Sequence, residues 1–272
     1  MAGLFQVLWG KADGSFAAAA VVNGTDDQPL IIPSKGEDDI IESICTRPFA
    51  IDWDSDGDLD LVVGNFAGKF HLFSGAGKGR FSPTSEPLLA DEKPLKLTGE
   101  HAMHGDPFVV DWDGDGDLDV LSGTSLGGVQ WAQNTAGRGK LPVLKPFETL
   151  IAAPQPLTNE SRPKEVTAPA GSTRVWVADM NADGRLDVLV GDMITLVSPA
   201  TGLSEEESLK RRKEWEAAFD ALQKEAEQVG SQTDQSKIDA VFERMSAHHD
   251  KRAEFINEDR TGFVWLYLQK KK

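Results

Sequence analysis

The feature that most narrows the fold is a nine-residue acidic pattern that occurs three times. Residues 52–60 read D-W-D-S-D-G-D-L-D, residues 111–119 read D-W-D-G-D-G-D-L-D, and residues 179–187 read D-M-N-A-D-G-R-L-D. The copies start 59 and 68 residues apart, the spacing of an internal repeat. Each has oxygen-bearing side chains at positions 1, 3, 5 and 9, and Gly57, Gly116 or Gly184 at position 6. A hard cation such as Ca²⁺ takes roughly six to eight oxygen ligands, and alternate residues of a tight loop can aim their carboxylates at one centre. The sharp turn at position 6 needs the backbone freedom of glycine. Position 7 is expected to offer its backbone carbonyl, which leaves its side chain free to vary as Asp58, Asp117 or Arg185. The candidate metal ligands are therefore Asp52, Asp54, Asp56, Asp58 and Asp60 in the first loop, and Asp111, Asp113, Asp115, Asp117 and Asp119 in the second. In the third they are Asp179, Asn181, Asp183, Arg185 and Asp187. With one carboxylate fewer among its ligands, this loop is expected to bind most weakly.

The first half of the pattern is shared with EF-hand loops, but those close with Glu at position 12 between two helices. Here position 12 is Val63, Ser122 or Val190. Short β-like runs enter the loops at Pro48 to Ile51, Pro107 to Val110 and Arg174 to Ala178. Others leave them at Leu59 to Gly64, Leu118 to Gly123 and Leu186 to Gly191. The reading is strand, metal loop, strand. Glycine hairpin signals recur at Lys78-Gly79-Arg80-Phe81, Arg138-Gly139-Lys140-Leu141 and Asp13-Gly14-Ser15-Phe16. One repeat unit is then four short antiparallel strands.

Composition limits the partners. With 28 Lys+Arg against 44 Asp+Glu the formal net charge is −16, which argues against nucleic acid as a ligand. Thirteen of those acids lie in the three loops. Cys45 is the only cysteine, which excludes an internal disulfide framework and a Cys-rich zinc cluster. No apolar run approaches the ~20 residues of a membrane span. Met1 to Gly10 shows neither a basic leader nor a long apolar segment, so no signal peptide is visible in this chain.

On these motifs the sequence resembles the FG-GAP/VCBS repeat family, whose β-propellers include the heads of integrin α-subunits. The family pattern D-x-D-x-D-G-x-x-D is matched by Asp52, Asp54, Asp56 and Asp60, and by Asp111, Asp113, Asp115 and Asp119. Asp179, Asp183 and Asp187 match it too, with Asn181 as a neutral substitute. The run from Gly64 to Gly68 resembles the family's FG-GAP turn, Gly123 to Gly128 is a looser version, and the third copy lacks it. The resemblance covers roughly residues 1–200 and the last dozen. It implies an all-β fold, a β-propeller of four-stranded blades, with up to three structural Ca²⁺ ions.

The hairpin signals and loops are out of phase, so the chain reads as about three and a half blades that start and stop mid-blade. Upstream sequence or a partner is expected to complete the ring. Residues 152–172 are Pro-rich and polar, the pattern of a surface loop. From Leu203 to about Arg260 the period becomes helical. Ser204 and Glu207 form a capping box. Trp215, Phe219, Leu222, Ala226 and Val229 then share one helix face. Ile238, Val241, Phe242, Met245, His249 and Arg252 share the face of a second helix that begins near Asp234. Gly262 to Leu268 reads as a strand. The expected organisation is propeller blades over 1–202, an inserted αα-hairpin over 203–260 and a final propeller strand over 261–272; the hairpin is expected to pack on itself or cap the propeller, the alternative being an arm on which a partner docks.

Other chemistry carries less. His101 and His104 lack a third metal ligand and read as structural or solvent-exposed, while His248 and His249 read as a solvated helix face. Cys45 reads as buried packing, and Trp53 and Trp112 as packing between blades. No catalytic motif or acid/base pair stands out. The functional expectation is a non-enzymatic, calcium-stabilised module outside the cytoplasm that presents a surface to a protein or carbohydrate ligand. The alternative is a polysaccharide lyase or hydrolase, whole or in part, on the same scaffold.

Overall fold

Each acidic loop joins two antiparallel strands in the computed structural model, which describes residues 4–33, 37–99, 102–155, 160–230 and 235–270. Strands β1 (Gln6–Val7) and β2 (Ala20–Val21) form a short antiparallel pair. Strands β3 (Arg47–Ile51), β4 (Asp60–Gly64), β5 (Phe70–Phe73) and β6 (Glu86–Pro87) follow as a four-stranded antiparallel sheet in chain order. A small hairpin, β7 (Leu89–Ala90) and β8 (Lys93–Pro94), comes next. A second four-stranded antiparallel sheet comprises β9 (Asp106–Val110), β10 (Asp119–Gly123), β11 (Val129–Ala132) and β12 (Glu148–Ile151). After β13 (Glu160–Ser161), a third sheet begins with β14 (Gly171–Ala178) and β15 (Asp187–Pro199). The first half of β15 pairs with β14, and its second half pairs antiparallel with β16 (Ile256–Thr261) and parallel with β13. Strand β17 (Val264–Tyr267) returns to pair with Val188 to Gly191, as the third strand of this sheet. The fold is thus mostly β, with two α-helices among the described residues, α1 (Glu205–Gly230) and α2 (Gln235–Asp250).

The chain forms two compact units, Met1–Asn159, Thr167–Met193 and Gly262–Lys272 in one, Glu160–Val166 and Ile194–Thr261 in the other. In the larger unit the second strands of the first two sheets, β4 and β10, are buried at every residue, and apolar side chains dominate after their leading Asp. Side chains alternate across a strand, so neighbours enter different cores. Val62 packs with Trp53, Phe70, Val109, Val120 and Phe147, while Leu61 and Val63 pack with Phe5, Leu30, Phe73 and Phe81. One strand further on, Val120 shares the core of Val62, and Leu121 joins Phe108, Val177 and Val188. Each such side chain taken fully out of water contributes about 1.5–3 kcal/mol.

Glycine sets how closely the sheets approach. A Cβ on Gly123, at the end of β10, would lie 2.1 Å from the carbonyl oxygen of Thr173 in β14, and one on Gly64 would lie 2.3 Å from that of Gly105. Thr173 is fully buried there, and its hydroxyl donates to the carbonyl of Gly128 at 2.8 Å.

In the smaller unit the capping box forms as expected. The Glu207 N–H donates to Ser204 Oγ at 3.2 Å, and the Ser204 N–H to Glu207 Oε2 at 3.1 Å. Trp215 is its centre, buried with Val197, Phe255 and Ile256. His248 is not on a solvated face. Its ring stacks on Trp215 at 5.1 Å, its Nε2 lies 3.0 Å from the Trp215 carbonyl, and the indole N–H donates to the His248 carbonyl at 2.8 Å. His249 is exposed, edge-on to the same indole. Phe242 faces solvent, 58% exposed, because the neighbouring Val241 takes the buried position. Helical character ends at Glu254 rather than near Arg260, since the following residues pair with β15 as β16. Cys45 is exposed, contrary to the packing expected of it, because it sits in a turn with φ of +51°. Asp234 and His101 lie outside the described residues, while His104 packs its ring on Phe66 at 4.5 Å.

Gly123→Ala should therefore lower stability in urea denaturation by about 1–3 kcal/mol, the cost of overpacking. Gly191→Ala, where nothing lies within 4 Å of the added carbon, should change it little. A second test concerns His71 on β5, whose two ring nitrogens are buried without a hydrogen-bond partner among the described residues. Burial holds its pKa below the ordinary 6.5; Glu42 opposes the shift and Lys69 adds to it. The unfolded chain then takes up a proton that the folded one resists. Stability should fall as the pH drops from about 6.5 towards the lower folded value. His71→Leu should flatten the melting temperature against pH in that window; an unchanged slope would count against this assignment.

Candidate metal centre

The three acidic loops occupy one place in three sheets: between β3 and β4, between β9 and β10, and between β14 and β15. Their internal hydrogen bonds repeat. The N–H at position 6 donates to the position 1 carboxylate, from Gly57 to Asp52 at 3.2 Å, Gly116 to Asp111 at 3.1 Å and Gly184 to Asp179 at 2.8 Å. The N–H at position 5 donates to the side chain at position 3, from Asp56 to Asp54, Asp115 to Asp113 and Asp183 to Asn181. These bonds curl the loop so that alternate side chains converge. In the first loop oxygens of Asp52, Asp54 and Asp56 all lie within 4.8 Å of one another, and in the second those of Asp111, Asp113 and Asp115 do the same. Three carboxylates so close repel one another, and the arrangement can hold a metal ion.

Position 9 behaves differently. Its carboxylate is buried and clamps two backbone segments, with one oxygen for each. Asp60 accepts the N–H of Trp53 at 3.0 Å and of Gly75 at 2.7 Å. Asp119 accepts those of Trp112 at 3.1 Å and Asn134 at 2.7 Å, and Asp187 those of Met180 at 3.0 Å and Gln269 at 2.9 Å. The second donor always follows the third strand of the sheet. Burial pushes Asp119 up to about 6 against the pull of the two N–H bonds, and raises Asp60 in the same way. Asp60, Asp119 and Asp187 therefore have both oxygens bonded to backbone N–H groups. The donors Gly75 and Asn134 each lie 15 residues after their aspartate, a regularity the sequence carries and the motif reading missed.

Position 7 is not idle either, a correction to the expectation that its side chain varies freely. Asp117 is only 3% exposed, and its Oδ2 accepts the Gly137 N–H at 2.7 Å. Burial raises its pKa first, with the charges of Asp115 and Asp113 adding to the shift. Arg185 pairs with Asp183 and donates from Nε to the carbonyl of Gln269 at 3.1 Å. All three position 7 side chains face the segment after the third strand, since Asp58 lies where a Cβ on Gly77 would come within 3.3 Å of it.

Two atoms test whether a cation suits these loops. Asp52 Oδ1 in the first loop and Asp117 Oδ1 in the second are buried and have no hydrogen-bond partner among the described residues. A buried carboxylate oxygen without a partner is costly, and a cation would satisfy it. The residues of these two loops fit a hard divalent ion on both counts. Trp53 and Trp112 at position 2 point into the cores between sheets, Trp53 being 2% exposed. Beside the first loop lies a cavity of about 610 Å³, lined among others by Phe5, Trp9, Leu61, Phe81, Asp58 and Arg80.

The family model described as FG-GAP-like repeat matches residues 52–122 and 111–190, each match running from one acidic loop through the strands to the next repeat. No curated protein matches the chain, and no solved structure does.

Asp119→Asn leaves one of its two N–H donors without a good acceptor. It should cost about 1–3 kcal/mol of stability even with metal chelated. Asp115→Asn, at an exposed ligand position, should cost under about 0.5 kcal/mol in chelator. Equal losses in the two variants would show that position 9 is not the clamp.

Proposed function

The chain belongs to the FG-GAP-like repeat family, and from that premise we propose that it is a calcium-stabilised β-propeller module that binds a partner. In this reading the three sheets are blades, with propeller sequence over 1–202 and 261–272 and the helical hairpin over 203–260 inserted in the last blade. The observation that carries it is the pairing of converging carboxylates with an unpartnered buried oxygen in each of the first two loops. Asp52, Asp54, Asp56 and Asp58, and Asp111, Asp113, Asp115 and Asp117, would hold the ions. Asp60 and Asp119 would frame them. Bound Ca²⁺ would supply the positive charge that the crowded carboxylates lack, and so lock strand one to strand two.

The module is read as non-enzymatic and extracytoplasmic. Its acidic side chains serve the backbone and a cation rather than a reacting centre. Weak sites, with Kd of ~10⁻⁴–10⁻³ M, fill readily where calcium is plentiful. The ligand is a protein or carbohydrate, and the cavity beside the first loop, with its exposed Trp9, is the concavity we assign to it.

A site held at a hundredfold over its Kd adds about 2.7 kcal/mol to stability. EDTA should lower the melting temperature by several degrees, and Ca²⁺ should restore it more fully than equimolar Mg²⁺. A melting curve indifferent to chelation would sink the calcium reading.

A further inference from the structure

The third loop keeps the turn bonds of the other two but departs from them at positions 3, 5 and 7, where Asn181, a doubly bonded Asp183 and Arg185 stand. Asp179 accepts the Asp183 N–H on one oxygen at 3.0 Å and the Gly184 N–H on the other at 2.8 Å. Asp183 receives the Arg185 N–H at 3.0 Å on Oδ1, and both the Arg185 guanidinium and the Asn181 amide on Oδ2. Asn181 Oδ1 accepts the Asp183 N–H at 3.0 Å. All the side-chain oxygens at positions 1, 3 and 5 are thus engaged inside the loop. Among the described residues Asp52 Oδ1 in the first loop and, at position 7, Asp117 Oδ1 in the second are buried without a partner. Charge follows the same division. The first and second loops each carry five Asp and no base, whereas the third carries three Asp and Arg185.

We infer that Arg185 is a built-in cation that takes the place of a metal ion in the third loop, so that the chain binds two Ca²⁺ ions and not three. The guanidinium meets Asp183 and also reaches Gln269, whose own N–H is held by Asp187. It therefore links the loop to the segment after β17 without any ion. A guanidinium is charged at every physiological pH and presents several donors in a fixed plane, which suits it to this double contact. The inference rests on the calcium reading of the first two loops.

Titration of the full chain with Ca²⁺, followed by calorimetry and by native mass spectrometry, should count two ions per chain. Arg185→Asp, which restores the residue found at position 7 of the other loops, should raise the count to three. Three ions on the unaltered chain, or two on folded Arg185→Asp, would overturn the inference. No bound Ca²⁺ at all would overturn the calcium reading beneath it, a result distinct from the other two. Should Arg185→Asp not fold, Asp183→Asn gives a second measure. It should lower the melting temperature equally in Ca²⁺ and in EDTA, while Asp54→Asn should lower it in Ca²⁺ far more than in EDTA. A loss in Asp183→Asn that appears only with Ca²⁺ present would also overturn the inference.

Discussion

The position 9 aspartate is the interaction on which the sheets depend. Its two oxygens hold the backbone at the start of the acidic loop and the backbone just past the third strand, so one side chain fixes three strands at one edge. Charge-assisted bonds from backbone N–H groups to a buried carboxylate are among the stronger ones a fold can make. They come with an obligation. Burial of the anion is costly: it pushes the Asp119 pKa up to about 6 against the pull of the two N–H bonds, and the charge of Asp113 adds to the rise. Clamp and acidic cluster share one loop: the clamp fixes its two ends, and between them the carboxylates converge into a group that could hold a metal ion.

The clamp works only because the sheets stack closely enough to bury it. Strands β4 and β10 feed alternate side chains to cores on either side, and glycine at their ends lets backbone meet backbone. An Asp60 or Asp119 at the head of such a strand begins in the interior, 5% and 0% exposed. Burial of the carboxylate follows from the same two-sided packing that buries the apolar side chains after it.

Much of this was legible in the residues. The spacing of Asp and Gly located the loops, and the apolar runs on either side gave strands rather than EF-hand helices. Ser204 and Glu207 marked where α1 begins. What stayed hidden depends on partners distant in sequence. Nothing near His248 announces that Trp215, 33 residues away, stacks on it and bonds its carbonyl. The roles of Asp117 and Arg185 were missed because their partners, Gly137 and Gln269, lie past the third strand. Asp192 was overlooked for the same reason. It accepts N–H bonds from Ala170, Phe263 and the Trp265 indole, and so gathers three segments.

The inserted helices explain why the third loop is built differently. In the first two sheets the clamp closes over 15 residues, but from Asp187 to Gln269 it spans 82. For a flexible connection that difference adds about 1.5 kcal/mol of closure entropy. The chain offsets it by zipping the second half of β15 to β16, so that only Gly262 and Phe263 separate the paired strand from β17. Asp192 then receives the Phe263 N–H as the chain turns into β17. Arg185 completes the tether by bonding the Gln269 carbonyl next to the N–H that Asp187 holds. A closing strand that arrives 82 residues later is thus tied twice at one residue, by Asp187 at the Gln269 N–H and by the Arg185 guanidinium at its carbonyl.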